Sequence, residues 1–181
     1  MAIDKSHTPT WMRVVIILVA LSFVAMLVPV VFGGLGVLGG GTSSDSGSSA
    51  DAIANQYQPR VDSALSVLQA SPDSPDALTQ VGHSYYEWAV ALYESGQAQA
   101  SIPLWLSAVT YYEKSLAIRP DDDIVLGNRA FALYYGQDAN APAGLEDFIT
   151  AASDNTGLAQ QVQTAQEMLT TLESSTATQT P

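Results

Sequence analysis

Residues 11–32, WMRVVIILVALSFVAMLVPVVF, constrain this chain more than any other stretch. From Val14 to Phe32 no side chain is charged and only Ser22 is polar. At ~1.5 Å per residue that run covers about 28 Å, close to the hydrocarbon thickness of a bilayer. Its Val, Ile, Leu and Phe side chains each contribute roughly −0.3 to −0.6 kcal/mol to insertion, about −4 to −8 kcal/mol together. Pro29 sits in the last turn, where a lost hydrogen bond costs least. A single membrane-spanning helix is expected. The competing reading is a cleaved secretory signal, which has a shorter apolar core and a small-x-small cleavage site, whereas here GGLGVLGGG follows. A lipid anchor on cysteine is excluded, because the chain has no cysteine. A soluble buried helix rarely runs so long with no polar face.

The flanks set the expected orientation. Lys5 and Arg13 precede the span, and no Lys or Arg follows until Arg60. By the positive-inside rule, residues 1–10 lie in the cytoplasm and the remainder outside it, in a single-pass protein of the cell membrane. Residues 33–50 are nearly all Gly and Ser, a flexible tether with a reach of roughly 23 Å. The Gly36/Gly40 pair has helix-dimer spacing but lies beyond the span, so it reads as linker.

Past residue 50 the charge is lopsided: sixteen carboxylates face Arg60, Lys114, Arg119 and Arg129. Such a surface repels nucleic acid and anionic headgroups, so no nucleic-acid partner is expected.

The periodicity beyond the tether is helical throughout. Ile53, Tyr57, Val61, Leu65 and Leu68 recur every three or four residues, with Pro59 expected to kink that helix or mark its first turn. Ser74-Pro75-Asp76 combines an N-cap, a proline at the first helical position and a carboxylate on the positive end of the dipole. Leu78, Val81, Tyr85, Trp88 or Ala89, and Leu92 follow on one face, up to Ser95-Gly96. Ile102, Trp105, Val109, Tyr112 and Leu116 mark the next helix, stopped at Pro120. Leu126, Ala130 and Leu133 lead to Gly136, then Leu145, Phe148 and Ile149 mark a shorter helix. Leu158, Val162, Ala165, Leu169 and Leu172 line a last one, before a Ser/Thr-rich tail at 174–181. The expected fold is all-α, with six helices over residues 51–173 and no strand.

The helices resemble the tetratricopeptide repeat family, whose unit is a ~34-residue helix–turn–helix. Leu78, Val81, Gly82 and Tyr85 fall on the signature of the first helix, and Ala108, Tyr112, Ser115 and Pro120 on that of the second. A second unit is degenerate: Leu126, Asn128, Ala130 and Leu133 fit, and Leu145, Phe148 and Ala151 fit after a two-residue slip. Residues 61–72 resemble the second half of a preceding unit, so the likeness covers about 60–152. It implies stacked antiparallel hairpins, with small residues at helix crossings, Tyr85 and Tyr112 filling the space beside them, and residues 156–173 as a capping helix.

The resemblance also implies a concave groove lined by the first helix of each unit. By register those positions are Asp76, Thr79, Gln80, His83, Tyr86 and Glu87, then Asn128, Phe131, Tyr134 and Tyr135. Aromatic rings with carboxylates and amides suit an extended peptide or protein partner of basic character. The same aromatics could instead pack between helices. The carboxylate-clamping lysines of the family's chaperone-tail variant are missing, which disfavours that ligand.

Few side chains could do chemistry. His83 and Glu87 stand i,i+4, but no second histidine or cysteine joins them in the domain and no H-E-x-x-H occurs. No G-x-S-x-G appears either. Neither cofactor nor metal nor catalysis is expected. The expectation is a membrane-anchored, non-catalytic interaction or assembly scaffold facing the cell envelope. Its rivals are the same anchored domain facing the cytoplasm and docking a soluble factor, and an envelope hydrolase with an unrecognised site.

Overall fold

The computed structural model describes residues 46–177. The expected span at 11–32, most of the tether and the end of the tail lie outside the described residues. Among the described residues the fold is all-α: six helices, one 3-10 turn and no strand. The helices are α1 (Ser46–Ala70), α2 (Pro75–Glu94), α3 (Ala98–Ile118), α4 (Asp123–Tyr135), α5 (Ala141–Ala151) and α6 (Ala159–Ala177), with the 3-10 turn Thr156–Leu158 leading into α6. No helix of the described residues is long and apolar enough to cross a membrane.

Local chemistry places most boundaries. Ser74 caps α2, its Oγ accepting from the backbone N–H of Ala77 at 3.2 Å. Asp122 caps α4 in the same way through Val125 N–H at 3.1 Å. Asn155 accepts from Gly157 N–H and donates to Asp123 at 3.1 Å, fixing the 3-10 turn beside the start of α4. Three boundaries differ from the sequence reading. Helix α1 opens at Ser46, inside the stretch expected to be tether, and runs unbroken through Pro59. Helix α3 opens at Ala98, a turn before Ile102, so Pro103 falls inside it. Helix α6 continues to Ala177, past the expected start of the tail. Polar Ser and Gln positions carry no apolar period, so periodicity misses helix that propagation alone extends.

The α2–α3 and α4–α5 turns repeat one backbone device. After α2, Gly96 takes φ +82° while Gln97 N–H reaches back to Leu92 C=O at 2.9 Å. After α4, Gln137 takes φ +55° while Asp138 N–H reaches Leu133 C=O at 3.0 Å. Both are left-handed helix ends of the Schellman kind. The glycine expected to end α4, Gly136, has φ −74° and serves space instead. A Cβ there would meet Ala132 O at 2.7 Å and Leu106 Cδ2 at 3.0 Å.

Consecutive helices pack on one another along the chain, and α6 also reaches back to α4. The α2–α3 and α4–α5 crossings share one design. A Cβ on Gly82 would stand 2.6 Å from the ring of Tyr112, which is fully buried. A Cβ on Gly127 would stand 2.9 Å from the ring of Phe148, equally buried. In each case an aromatic of the second helix lies flat against a glycine of the first, which only a missing side chain permits. One turn before each aromatic stands a small residue, Ala108 before Tyr112 and Gly144 before Phe148, and both are buried. A Cβ on Gly144 would press on Leu133 at 2.6 Å.

Two apolar clusters follow. One gathers Ala89, Trp105, Ala108, Val109, Tyr112, Val125 and Leu133 between α2, α3 and α4. The other gathers Ala130, Leu145, Phe148, Ala152, Leu158 and Ala165 between α4, α5 and the final helix. Expected core positions Leu78 and Val81 are buried, and Ala165 packs α6 on the stack as its inner face predicts.

Candidate functional site

The surface to test is the one carried by α2 and α4, where the expected groove residues lie. Because Gly82 and Gly127 occupy equivalent crossings, the residue after each stands at an equivalent place: His83 on α2 and Asn128 on α4. Three further along, Tyr86 and Phe131 correspond likewise.

The two aromatics are drawn inward. Tyr86 sets its ring edge-on to Trp105, centroids 4.7 Å apart, and lies 6.5 Å from Tyr112. Burial, with Tyr135 nearby, pushes the Tyr86 hydroxyl well above its ordinary pKa. Trp105 is buried, its indole N–H donating to Ser101 Oγ at 3.0 Å, and its other neighbour is Tyr135, stacked at 5.2 Å. Tyr135 in turn meets Tyr93 at 5.1 Å and Tyr134 at 5.4 Å. The rings thus form a continuous seam from Tyr112 through Tyr86, Trp105 and Tyr135 to Tyr93, joining α2, α3 and α4. Phe131 packs edge-on against Phe148 at 5.9 Å. Tyr85, expected to fill space beside the crossing, stacks on Tyr111 at 5.8 Å. Burial raises its pKa, with Tyr111 and Asp62 adding to the shift.

Among the polar members, Asp76, Glu87 and His83 have side-chain partners. Asp76 is 82% exposed and accepts from Arg119 at 2.6 Å, a link from the first turn of α2 to the end of α3. Arg119 also reaches Asp122 at 3.3 Å, so the Arg119-Pro120 turn is clasped between two helix starts. Glu87 pairs with Arg60 of α1 at 3.2 Å. Gln80 and Asn128 lie on the outer faces, exposed and half-buried respectively. His83 is half-buried, its Nδ1 2.8 Å from the Tyr112 hydroxyl. Burial holds its pKa below 6.5, with the Asp122 carboxylate pulling the other way.

The sequence reading missed three features of this surface. It also left Trp88 and Ala89 as alternatives on the inner face of α2, where Ala89 is fully buried and Trp88 half-buried. Gly127 follows Leu126 as Gly82 follows Val81, and Gly144 stands four residues before Phe148 as Ala108 stands before Tyr112; both signals were present in the spacing. Tyr93 is 45% exposed beside Tyr135, and nothing in a single helix announces that pairing. Trp88 has its indole N–H buried with no acceptor among the described residues. Among those residues no group of three or more His, Asp or Glu side chains is placed to hold a metal ion.

The surface therefore carries carboxylates, amides and one imidazole, the last bonded to Tyr112 of the aromatic seam. The sequence matches no protein-family model, and no curated protein is similar to it.

Proposed function

We propose that this chain is a non-catalytic, membrane-anchored interaction scaffold of the tetratricopeptide-like kind. Its outer face on α2 and α4 binds a protein or peptide segment of basic character. The observation that supports this most is the repeated crossing, Gly82 against Tyr112 and Gly127 against Phe148. By that equivalence His83 corresponds to Asn128 and Tyr86 to Phe131, so a partner lying across both helices meets two matched positions. Sixteen carboxylates against four cations in the region after residue 50 supply the charge preference.

Residues 11–32 hold the domain at the bilayer in this reading, with the N-terminus inside and the domain outside the cytoplasm. Confinement near the membrane raises the effective concentration of a membrane-bound partner without any added contact. Protease protection on intact cells tests the orientation: digestion of the domain is expected, and its survival until the membrane is permeabilised reverses the topology. A photo-crosslinking residue at Gln80 or Asn128 in the full chain tests the surface. The expected adduct is a basic segment of another polypeptide, and an adduct-free chain in the intact membrane overturns the reading.

A further inference from the structure

The stack is finished differently at its two ends. At the C-terminal end α6 leaves Gln160, Gln163 and Gln166 exposed, a polar surface. At the N-terminal end α1 packs principally on α2, and no described helix precedes it. Leu65 and Leu68 are half-buried near its end, with Ser66 and Gln69 exposed beside them. Leu65, Ser66, Leu68, Gln69 and Pro72 line an open hollow of about 420 Å³ there.

Carboxylates flank this hollow along the chain. Asp62 stands one turn before Ser66, whose Oγ donates to its carbonyl at 3.0 Å, and Asp73 follows Pro72 directly; both are exposed. No Lys or Arg occurs between Arg60 and Lys114. Arg60 itself is turned to Glu87.

We propose that this end of α1 is a second docking surface, distinct from the α2–α4 face, and that it takes a basic amphipathic segment of another polypeptide. An apolar side chain of that segment enters the hollow, and its Lys or Arg residues meet Asp62 and Asp73. Two other occupants fit less well. The tether's own apolar residues, Leu35, Val37 and Leu38, precede Ser46 by eight residues or more. Residues 33–45 hold Asp45 and no Lys or Arg, so the tether brings no cation to meet Asp62 and Asp73. A second copy brings few cations either. Arg60, Arg119 and Arg129 are each held by carboxylates of the same chain, and Lys114 lies over the Tyr111 ring at 5.1 Å.

The test places a photo-crosslinking residue at Gln69, which is exposed and lines the hollow, in the full-length chain in its native membrane, with the adduct sequenced by mass spectrometry. The expected adduct is a net-basic segment of a different polypeptide. Its yield should fall about fivefold in the Asp62→Asn/Asp73→Asn variant, as expected for two exposed charge pairs. Circular dichroism of that variant checks that the helices are intact. Adducts to residues 33–45, to a second copy or to a segment without basic residues overturn the proposal, as does a yield indifferent to the charge change or no adduct. The parallel probe at Gln80 reports on the α2–α4 face by itself, so the failure of one surface is separable from the failure of the other.

Discussion

The Nδ1 of His83 and the hydroxyl of Tyr112 share a hydrogen bond of 2.8 Å at the place where α2 crosses α3. With its proton on Nε2, a neutral imidazole accepts this bond from the tyrosine O–H. An imidazolium can only donate it, and the buried hydroxyl proton then needs another acceptor. The bond therefore couples the protonation of one half-buried ring to the close Gly82–Tyr112 crossing.

Acid sensitivity follows from that coupling. Burial lowers the folded-state pKa of His83 below 6.5, against the raising influence of Asp122, so the unfolded chain binds the proton more readily. The stability gained from keeping His83 neutral is present above pH 6.5 and is lost as pH falls through the lowered value. Urea midpoints measured between pH 7.5 and 5 should decline in the wild type and stay nearly flat in His83→Gln. Equal slopes in the two proteins would assign the effect to carboxylates instead.

The glycine crossings predict a matched pair of destabilised variants. Gly82→Ala puts a methyl 2.6 Å from the Tyr112 ring, and Gly127→Ala puts one 2.9 Å from Phe148. Neither ring has an empty side to move toward, so each change should cost about 1–3 kcal/mol. Gly82→Leu should cost at least as much. Chemical denaturation measures all three, and a Gly82→Ala protein as stable as the wild type would refute the crossing.

Gln137 should be improvable. It holds φ +55° at the end of α4, where Gly96 holds φ +82° at the end of α2. A side chain in the left-handed region costs about 1–2 kcal/mol, offset in part by the entropy glycine loses on folding. Gln137→Gly should therefore stabilise the domain by about 0.5–1 kcal/mol. The reverse is expected one residue earlier: Gly136→Ala drives its methyl toward Ala132 O and should destabilise, as thermal melts of the two variants would show.

Arg129 is the cation whose loss should be felt. It reaches back from α4 to Glu113 of α3 at 3.2 Å and forward to Asp147 of α5 at 3.8 Å, with its side chain only 19% exposed. Arg129→Ala should cost about 1 kcal/mol, and Arg129→Lys should recover only part of it because one ammonium cannot span both carboxylates. Raising the salt concentration should narrow the gap between wild type and variant.

Much of this architecture was legible before any coordinates. The Ser74 cap, the apolar period and the prolines act through neighbours within four residues, so the Ser74-Pro75 helix start and the order of six helices follow from the chain alone. The family resemblance carried by Ala108, Tyr112 and Pro120 also implied a crossing with Gly82, where only a small residue admits a close backbone approach. What the chain could not declare is which distant side chains meet. Tyr86 and Tyr135 have the same composition and periodicity as ring platforms open to a ligand. Only the placement of Trp105 between them, fixed by packing three helices together, makes them a seam. The end of α4 makes the same point on a smaller scale: glycine is recognisable as a turn residue, yet the crowding of Leu106 and Ala132 decided that Gly136 provides room while Gln137 takes the left-handed bend.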